Sequence, residues 1–414
     1  MKLAFFLPIL SVFGLNNILI DTDPGVDDVL ALLMALGNKD TNITAITLVF
    51  GNAVLKNATR NLVSVFHVLD LQAKESKFDL YHKKTPPRVA LGAYKPLKLP
   101  MYTAGYFHGF DGLGNLTITR PSLTCADYQK YFDYNFDGDE PKRLGHNCRP
   151  QVRKDKRTSH RFTASPLNAV DEILFQLKSL PPFTLTIVAL GPLTNIALAI
   201  QKDPITMSRV KRIVVMGGAL LSVGNITPMA EFNFYADPHA VNVVFDATRG
   251  FNVKQHQDLV LNPPPVFMKA EPLNITLVSS TITHTTLMTR KNMTNHFAGI
   301  GYKIIPDFTT QMLIIPQRYS DKIGGLALHD PLAMGVAMNL IPNGPATHRY
   351  SIEIIDDSVR GRGVCIIDQR PKSKAGPTPS QTNIEVVEGV GNPWHFQRIF
   401  LDAAFPKPPT KNTS

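Results

Sequence analysis

Asn17-Ile-Leu-Ile-Asp-Thr-Asp-Pro-Gly-Val-Asp-Asp-Val-Leu-Ala-Leu-Leu-Met-Ala-Leu36 is the stretch whose reading decides the fold. Asn17 to Thr22 is a short β-branched run, the Pro24-Gly25 pair forces a tight turn, and Asp28 to Leu36 is an apolar helix closed by Gly37-Asn38. The unit recurs. Ile43 to Phe50 reads as a strand before a helix over 52–71, and Leu185 to Leu190 as another before a helix over 192–200. Arg212 to Met216 reads as a fourth strand, with a helix following over 238–246. Strands alternating with helices predict an α/β fold, an open and mostly parallel sheet flanked by helices, in a single domain over 18–405. In such sheets ligands bind in loops at the carboxyl ends of the strands, which puts the acidic turn after the first strand at a privileged position.

Outward from this frame, residues around 127–164 lack periodicity and read as an insertion. The segment 263–321 reads as helices beside the site, 350–405 as strands and a terminal helix, and 406–414 as a loose tail. No internal repeat and no interdomain linker is evident.

The 414 residues are 44% hydrophobic and 18% charged, enough for a sizeable core. No apolar run approaches the roughly 18 residues that span a bilayer, so membrane and disordered classes are excluded. The net charge of +10 would favour an anionic partner, but half of it sits in one place. Between Asp139 and Arg161 eight basic residues (Lys142, Arg143, Arg149, Arg153, Lys154, Lys156, Arg157 and Arg161) face three acidic ones. With almost no aromatic residues to stack bases there, this is read as a solvated insertion and no nucleic-acid partner is expected.

Residues 1–14 combine one positive charge, a short apolar stretch and a small-residue end, the form of a signal peptide. Seven N-x-[ST] sequons, at Asn42, Asn57, Asn115, Asn225, Asn274, Asn292 and Asn412, exceed the about three expected by chance. A secreted or vacuolar glycoprotein is the expectation. Of three cysteines, Cys125 and Cys148 flank the charged insertion and could close it as a loop, leaving Cys365 as a buried thiol.

Asp21, Asp23, Asp27 and Asp28 fall within eight residues. Carboxylates this close repel unless protons or a cation compensate. Helix capping accounts for Asp27 and Asp28 at most, and a hard divalent cation held by oxygen donors accounts for the rest. An EF-hand loop starting at Asp21 fails, because Val26 and Leu32 stand where Gly and Glu are needed. A dinucleotide fingerprint is absent. Asp21-Thr-Asp23 also fits the opening of an Asp-based phosphatase, without a recognisable phosphate-binding Lys downstream.

Asp21-Thr-Asp-Pro-Gly-Val-Asp-Asp28 resembles the signature of the inosine-uridine-preferring nucleoside hydrolase family. Thr47-Leu-Val-Phe-Gly-Asn52, Ala189-Leu-Gly-Pro-Leu-Thr-Asn-Ile-Ala197, Met216-Gly-Gly218, Ala230-Glu-Phe-Asn233, Asp237-Pro238 and His329-Asp330-Pro331 resemble further family motifs, in order, from about Ile18 to about Ala404. The resemblance, to a secreted member of fungal type, implies hydrolysis of the N-glycosidic bond of ribonucleosides to base and ribose through an oxocarbenium-like transition state. It implies a Ca²⁺ cofactor held by Asp23, Asp28, Asp330 and the Leu190 carbonyl. Asp23 doubles as general base towards a cation-oriented water. It places Asp27, Asn52, Asn225, Glu231, Phe232 and Asn233 around the substrate, His329 beside the leaving base as acid, and His108 in a Gly-rich flap over 103–114. It further implies a homo-oligomer, dimer or tetramer, with a small nucleoside as partner. A silent member binding Ca²⁺ without turnover is the non-enzyme alternative. One departure bears on substrate preference: where the family often carries Asp-Leu-Thr-His, the reading here is Asp258-Leu-Val-Leu261, without the Thr and His.

Overall fold

The computed structural model describes residues 16–132, 134–143, 159–251, 270–357, 359–367 and 382–408. The signal-peptide stretch 1–14, Cys148, Asp258–Leu261, the basic stretch 144–158 and the tail from 409 lie outside the described residues.

Nine strands build one sheet: β1 (Asn16–Thr22), β2 (Thr41–Leu48), β3 (Arg88–Leu91), β4 (Thr163–Ala164), β5 (Leu185–Ala189), β6 (Arg212–Met216), β7 (Ile275–Val278), β8 (Ala346–Tyr350) and β9 (Ile384–Gly389). Their order across the sheet is β8-β9-β7-β6-β5-β1-β2-β3-β4. All neighbours are parallel except the edge strand β8, which runs antiparallel to β9. Between β1 and β5 the winding changes direction: β2 to β4 extend one way, β5 to β7 the other. That is the switch point at which open α/β sheets form a crevice.

Burial on both faces follows from the sequence. In β1, Ile18 and Ile20 point into one apolar cluster and Leu19 into the other, all fully buried. Helix α1 (Val26–Gly37) is buried at every residue, which is why it shows no polar face. Helices α2 (Leu55–Ser76), α3 (Thr194–Lys202), α4 (Phe232–Ala236), α5 (Pro238–Asp246), α6 (Ile314–Ile323), α7 (His329–Ala337) and α8 (Pro393–Ala404) complete the elements used below.

The predicted elements are present with shifted edges, except that the segment read as helices over 263–321 also carries the sheet strand β7 and the short strand Leu287–Met288, because the sheet offers β6 an edge partner there. The second strand ends at Leu48 because the Phe50 N–H leaves the ladder to donate to the Ala93 carbonyl (2.9 Å). Its helix starts at Leu55 rather than 52, since Gly51 and Asn52 are drawn into the site. The insertion is not wholly irregular: Tyr134–Asp137 and Glu140–Arg143 pair as a hairpin, and Thr163–Ala164 adds the edge strand β4. Cys125 is a buried free thiol, whereas Cys365 is half-buried rather than fully so, because it lies on a short surface hairpin.

Candidate active site

Four consecutive strand ends meet at the crevice. The turn after β1 brings Asp23, Asp27 and Asp28, the turn after β2 brings Gly51-Asn52, Leu190 follows β5, and Met216 closes β6. Helix α7 approaches from above with His329 and Asp330 at its first turn. Carboxylate oxygens of Asp27, Asp28 and Asp330 lie within 4.8 Å of one another, all buried. Asp28 is held by donors: Gly25 N–H (3.0 Å), Asp23 N–H (3.3 Å), Asn52 Nδ2 (2.7 Å) and the Thr22 hydroxyl.

Asp23 and Asp27 each keep one buried carboxylate oxygen with no hydrogen-bond partner among the described residues. Burial, then the charge of Asp28, raises the pKa of Asp23 well above the usual carboxylate range and that of Asp27 to about 8. Burial and the charges of Asp27, Asp28 and Asp23 do the same to Asp330. A buried cluster of mutually repelling carboxylates, with a partnerless oxygen on Asp27, fits a hard divalent cation. Asp27, which the resemblance assigned to the sugar, is thus a member of the converging set with Asp28 and Asp330, whereas Asp23, expected as a ligand, is not among the three and does not line the cavity. The Leu190 carbonyl accepts from Asn233 Nδ2 at 2.6 Å and lines the same cavity.

Asp23 is packed where no other residue could leave it room. A Cβ on Gly51 would lie 2.0 Å from its Oδ2, and one on Gly191 2.5 Å from its Oδ1. Asn52 N–H donates to Oδ2 at 2.6 Å, so the carboxylate is fixed from one side and free on the other.

A cavity of about 240 Å³ opens above. Asp27, Asn52, Leu190, Asn225, Glu231, Phe232 and Asn233 line its polar end, and His108, His329 and Asp330 close it. Every substrate-side residue expected from the sequence therefore comes together. Glu231 is already heavily engaged: as N-cap of α4 its carboxylate accepts from Asn233 N–H (2.9 Å), Phe234 N–H (3.2 Å) and Gly218 N–H (2.8 Å). Asn225 Oδ1 accepts from Phe232 N–H (2.8 Å), which leaves its amide NH₂ to face outward.

The flap residue His108 is 5% exposed, and its Nδ1 accepts from Val26 N–H at 3.1 Å. Burial lowers its pKa to about 4, so the ring is neutral with its proton on Nε2. Asn61 Nδ2 bridges the Pro24 and Asp111 carbonyls (2.9 and 2.8 Å), tying the flap to the acidic turn. His329 Nδ1 lies 2.6 Å from the Thr283 hydroxyl. Burial, with His284 and His108 nearby, pushes its pKa down to about 3, so the resting ring is neutral and an acid role must use a ring N–H of the neutral imidazole.

Sequence reasoning missed the far wall. Tyr106, Phe107, His284, Tyr319 and Ile323 form an aromatic and apolar end to the cavity. The expected loss of Thr and His from this neighbourhood does not hold: Thr283-His284, just past β7, supply both, and the His284 ring meets His329 edge-on at 5.4 Å. Asp21 is fully buried, accepting from Thr47 (2.5 Å) and Asn195 (2.8 Å), with its pKa raised to about 7 by burial. A carboxylate so enclosed cannot attack a phosphate, which removes the phosphatase alternative. Among the described residues no helix is long and apolar enough to cross a membrane.

Comparison with known proteins agrees with this geometry. The chain is 34% identical over 231 residues to a probable uridine nucleosidase of Oryza sativa subsp. japonica, covering 56% of this chain and 55% of that one, so the match spans about half of that relative's length. It is 29% identical over 366 residues to an inosine-uridine preferring nucleoside hydrolase of Leishmania major, covering 87% and 90%. The fold matches that of a plant nucleoside hydrolase (TM-score 0.68, 23% identity, covering 94% of this chain and 99% of that one). It also matches a purine-preferring ribonucleoside hydrolase from Gardnerella vaginalis (TM-score 0.64, 23% identity, 94% and 99%). The family pattern itself runs over residues 18–397, and the chain belongs to the inosine-uridine preferring nucleoside hydrolases.

Proposed function

We propose that the protein hydrolyses the N-glycosidic bond of ribonucleosides to free base and ribose. The observation that carries this reading is the cavity itself: a carboxylate- and amide-lined end sized for a sugar, opposed by an aromatic end suited to a base, above the acidic cluster. Asp23 takes a proton from the attacking water: one of its oxygens has no hydrogen-bond partner among the described residues while Asn52 N–H holds the other. Asp27, Asn52, Asn225 and Asn233 grip the ribose hydroxyls, and the surrounding carboxylates offset positive charge growing on the ring as the bond breaks. Glu231 shapes that grip by holding the backbone of α4. His329 faces the departing base.

The cation is Ca²⁺, because the donors are all hard oxygens: Asp28 and Asp330 converge with Asp27, the Leu190 carbonyl lines the same cavity, and Asp23 is the further donor that the family resemblance implies. When bound it lowers the pKa of a coordinated water and orients it. The protein is secreted or vacuolar and glycosylated: none of the six sequon asparagines among the described residues is fully buried. It works as a homo-oligomer.

Ribose release from inosine, uridine, adenosine and cytidine, with and without chelator, tests the reading. Turnover that stops on chelation and returns with Ca²⁺ is expected. No ribose from any nucleoside at full Ca²⁺ occupancy would leave the silent Ca²⁺-binding alternative standing.

A further inference from the structure

Between β8 and β9 the chain makes a detour whose first part is a hairpin, Ile352–Ile354 against Cys365–Ile367. Asn242 of α5 bonds both backbone groups of Ile354, donating to its carbonyl (2.9 Å) and accepting from its N–H (3.3 Å). His239 pairs with Asp356 at 2.6 Å. So anchored, the loop between the two strands packs against Ala230 and the end of α4. Val364 forms a bridge with Ala230, and Gly363 (φ +75) presses so close that a Cβ there would lie 2.6 Å from Tyr235 Cα.

Arg362 occupies this loop, 6% exposed. Its Nε donates to the Tyr235 carbonyl (2.6 Å), and its Nη2 donates to both the Ala236 carbonyl (2.9 Å) and the Pro100 carbonyl (3.0 Å). The guanidinium lies over the rings of Tyr235 (4.5 Å) and Tyr102 (4.9 Å). Among the described residues it forms no ion pair, so carbonyl dipoles and ring faces are its direct partners, with the charge of Asp237 favouring it from further off. Only a planar fork donates in three directions while stacked on two rings, and lysine has no such geometry.

The two stretches it joins are the ones that enclose ribose. Tyr235 and Ala236 end α4, whose N-terminal half carries Asn233 and whose cap is Glu231. Pro100–Tyr102 is the root of the flap that brings His108 over the sugar. These segments are about 130 residues apart in sequence, and Arg362 bonds to both.

We propose that Arg362 is a positioning residue that fixes the flap root against the ribose-gripping helix, so that it acts on ribose affinity without touching substrate. The proposal rests on the nucleosidase reading for its kinetic readout but not for its structural one. Arg362→Ala should raise KM for inosine about tenfold or more while kcat stays within about threefold, because the acidic cluster and His329 lie outside the joint. Tyr102→Leu, which removes one ring from a half-exposed position, should raise KM by a smaller factor. Guanidinium ion at low millimolar concentration, far below denaturing levels, should restore part of the KM of Arg362→Ala, and Arg362→Lys should fail to do so.

Chymotrypsin supplies the arm that needs no catalysis. Tyr106, Phe107 and Phe110 in the flap should be cut faster in Arg362→Ala, and excess ribose should protect less than in the wild type. Unchanged KM with unchanged flap cleavage overturns the proposal, as does a loss of kcat equal to the rise in KM. A wild type that releases no ribose from any nucleoside overturns the activity instead, and flap cleavage then decides the role of Arg362.

Discussion

Asp330→Asn should nearly abolish the response of the fold to Ca²⁺ and, in chelator, leave the variant at least as stable as the wild type. Asp330 is 2% exposed among Asp23, Asp27 and Asp28, so without a cation its carboxyl is a burden on the native state and with one it is a ligand. A ligand that binds only the native state stabilises it by about 2.7 kcal/mol at a hundred times its Kd. Unfolding entropy of about 2.1 cal/mol/K per residue over this chain amounts to about 0.9 kcal/mol/K, so the wild type should gain about 3 °C in Tm. If the amide weakens binding a hundredfold, the same Ca²⁺ concentration gives about 0.4 kcal/mol, or about 0.5 °C.

In chelator the order reverses, and pH shows why. Burial raises the carboxyls of Asp21 and Asp27 to about 7 and about 8 in the folded protein, against 3.8 for a free aspartate side chain. Raised folded values mean that the native state holds protons the unfolded chain has released. That stability is complete below the unfolded pKa and is lost as pH rises towards the folded one, by about 1.4 kcal/mol per unit per group. Chelated wild type should therefore melt progressively lower from pH 5 to pH 8, and chelated Asp330→Asn, with one charge fewer in the cluster, should melt at or above it at pH 8. Differential scanning calorimetry at four pH values, with chelator or with Ca²⁺, measures all of this. A full Ca²⁺-dependent shift in Asp330→Asn, or a chelated variant melting well below chelated wild type at pH 8, would refute the account of the cluster.

Three shorter predictions follow from the same geometry. Gly51→Ala should cost at least about a hundredfold in kcat with a folded protein, because its Cβ displaces Asp23 Oδ2; retention of full activity would show that Asp23 is not held as described. His329→Ala should slow inosine by about 10²-fold or more and spare a nitrophenyl riboside, whose leaving group needs no proton; equal losses would rule out the acid role and make His108 the next candidate. If the protein follows the proposed secretory route, mapping of its mature form should find the N-terminus near residue 15 and no glycan on Asn225, since that side chain lines the cavity; a glycan there would remove Asn225 from the site.

What the sequence by itself determined is the part governed by short range. The 17–36 stretch declares strand, turn and helix through β-branched, Pro-Gly and apolar runs, and its four carboxylates announce a cation because charges adjacent in sequence must also be adjacent in space. The substrate residues of the Ala230–Asn233 motif and His329-Asp330 could be named from order and residue type, and all of them reach one cavity. Tertiary structure decided what depends on distant segments meeting. The short strands β3, β4 and β7 carry too few residues for a period to show, and they form because the growing sheet offers an edge to pair with; β8 is exposed along nearly all its length and shows no apolar alternation. Thr283 and His284 sit in a polar, Thr-rich run with no pattern of their own, and only the register of β7 carries them to His329. Arg362 looks like one more charge in a basic chain. Its burial against three carbonyls and two tyrosines depends on a hairpin folding back across more than a hundred residues, and no local propensity encodes that contact.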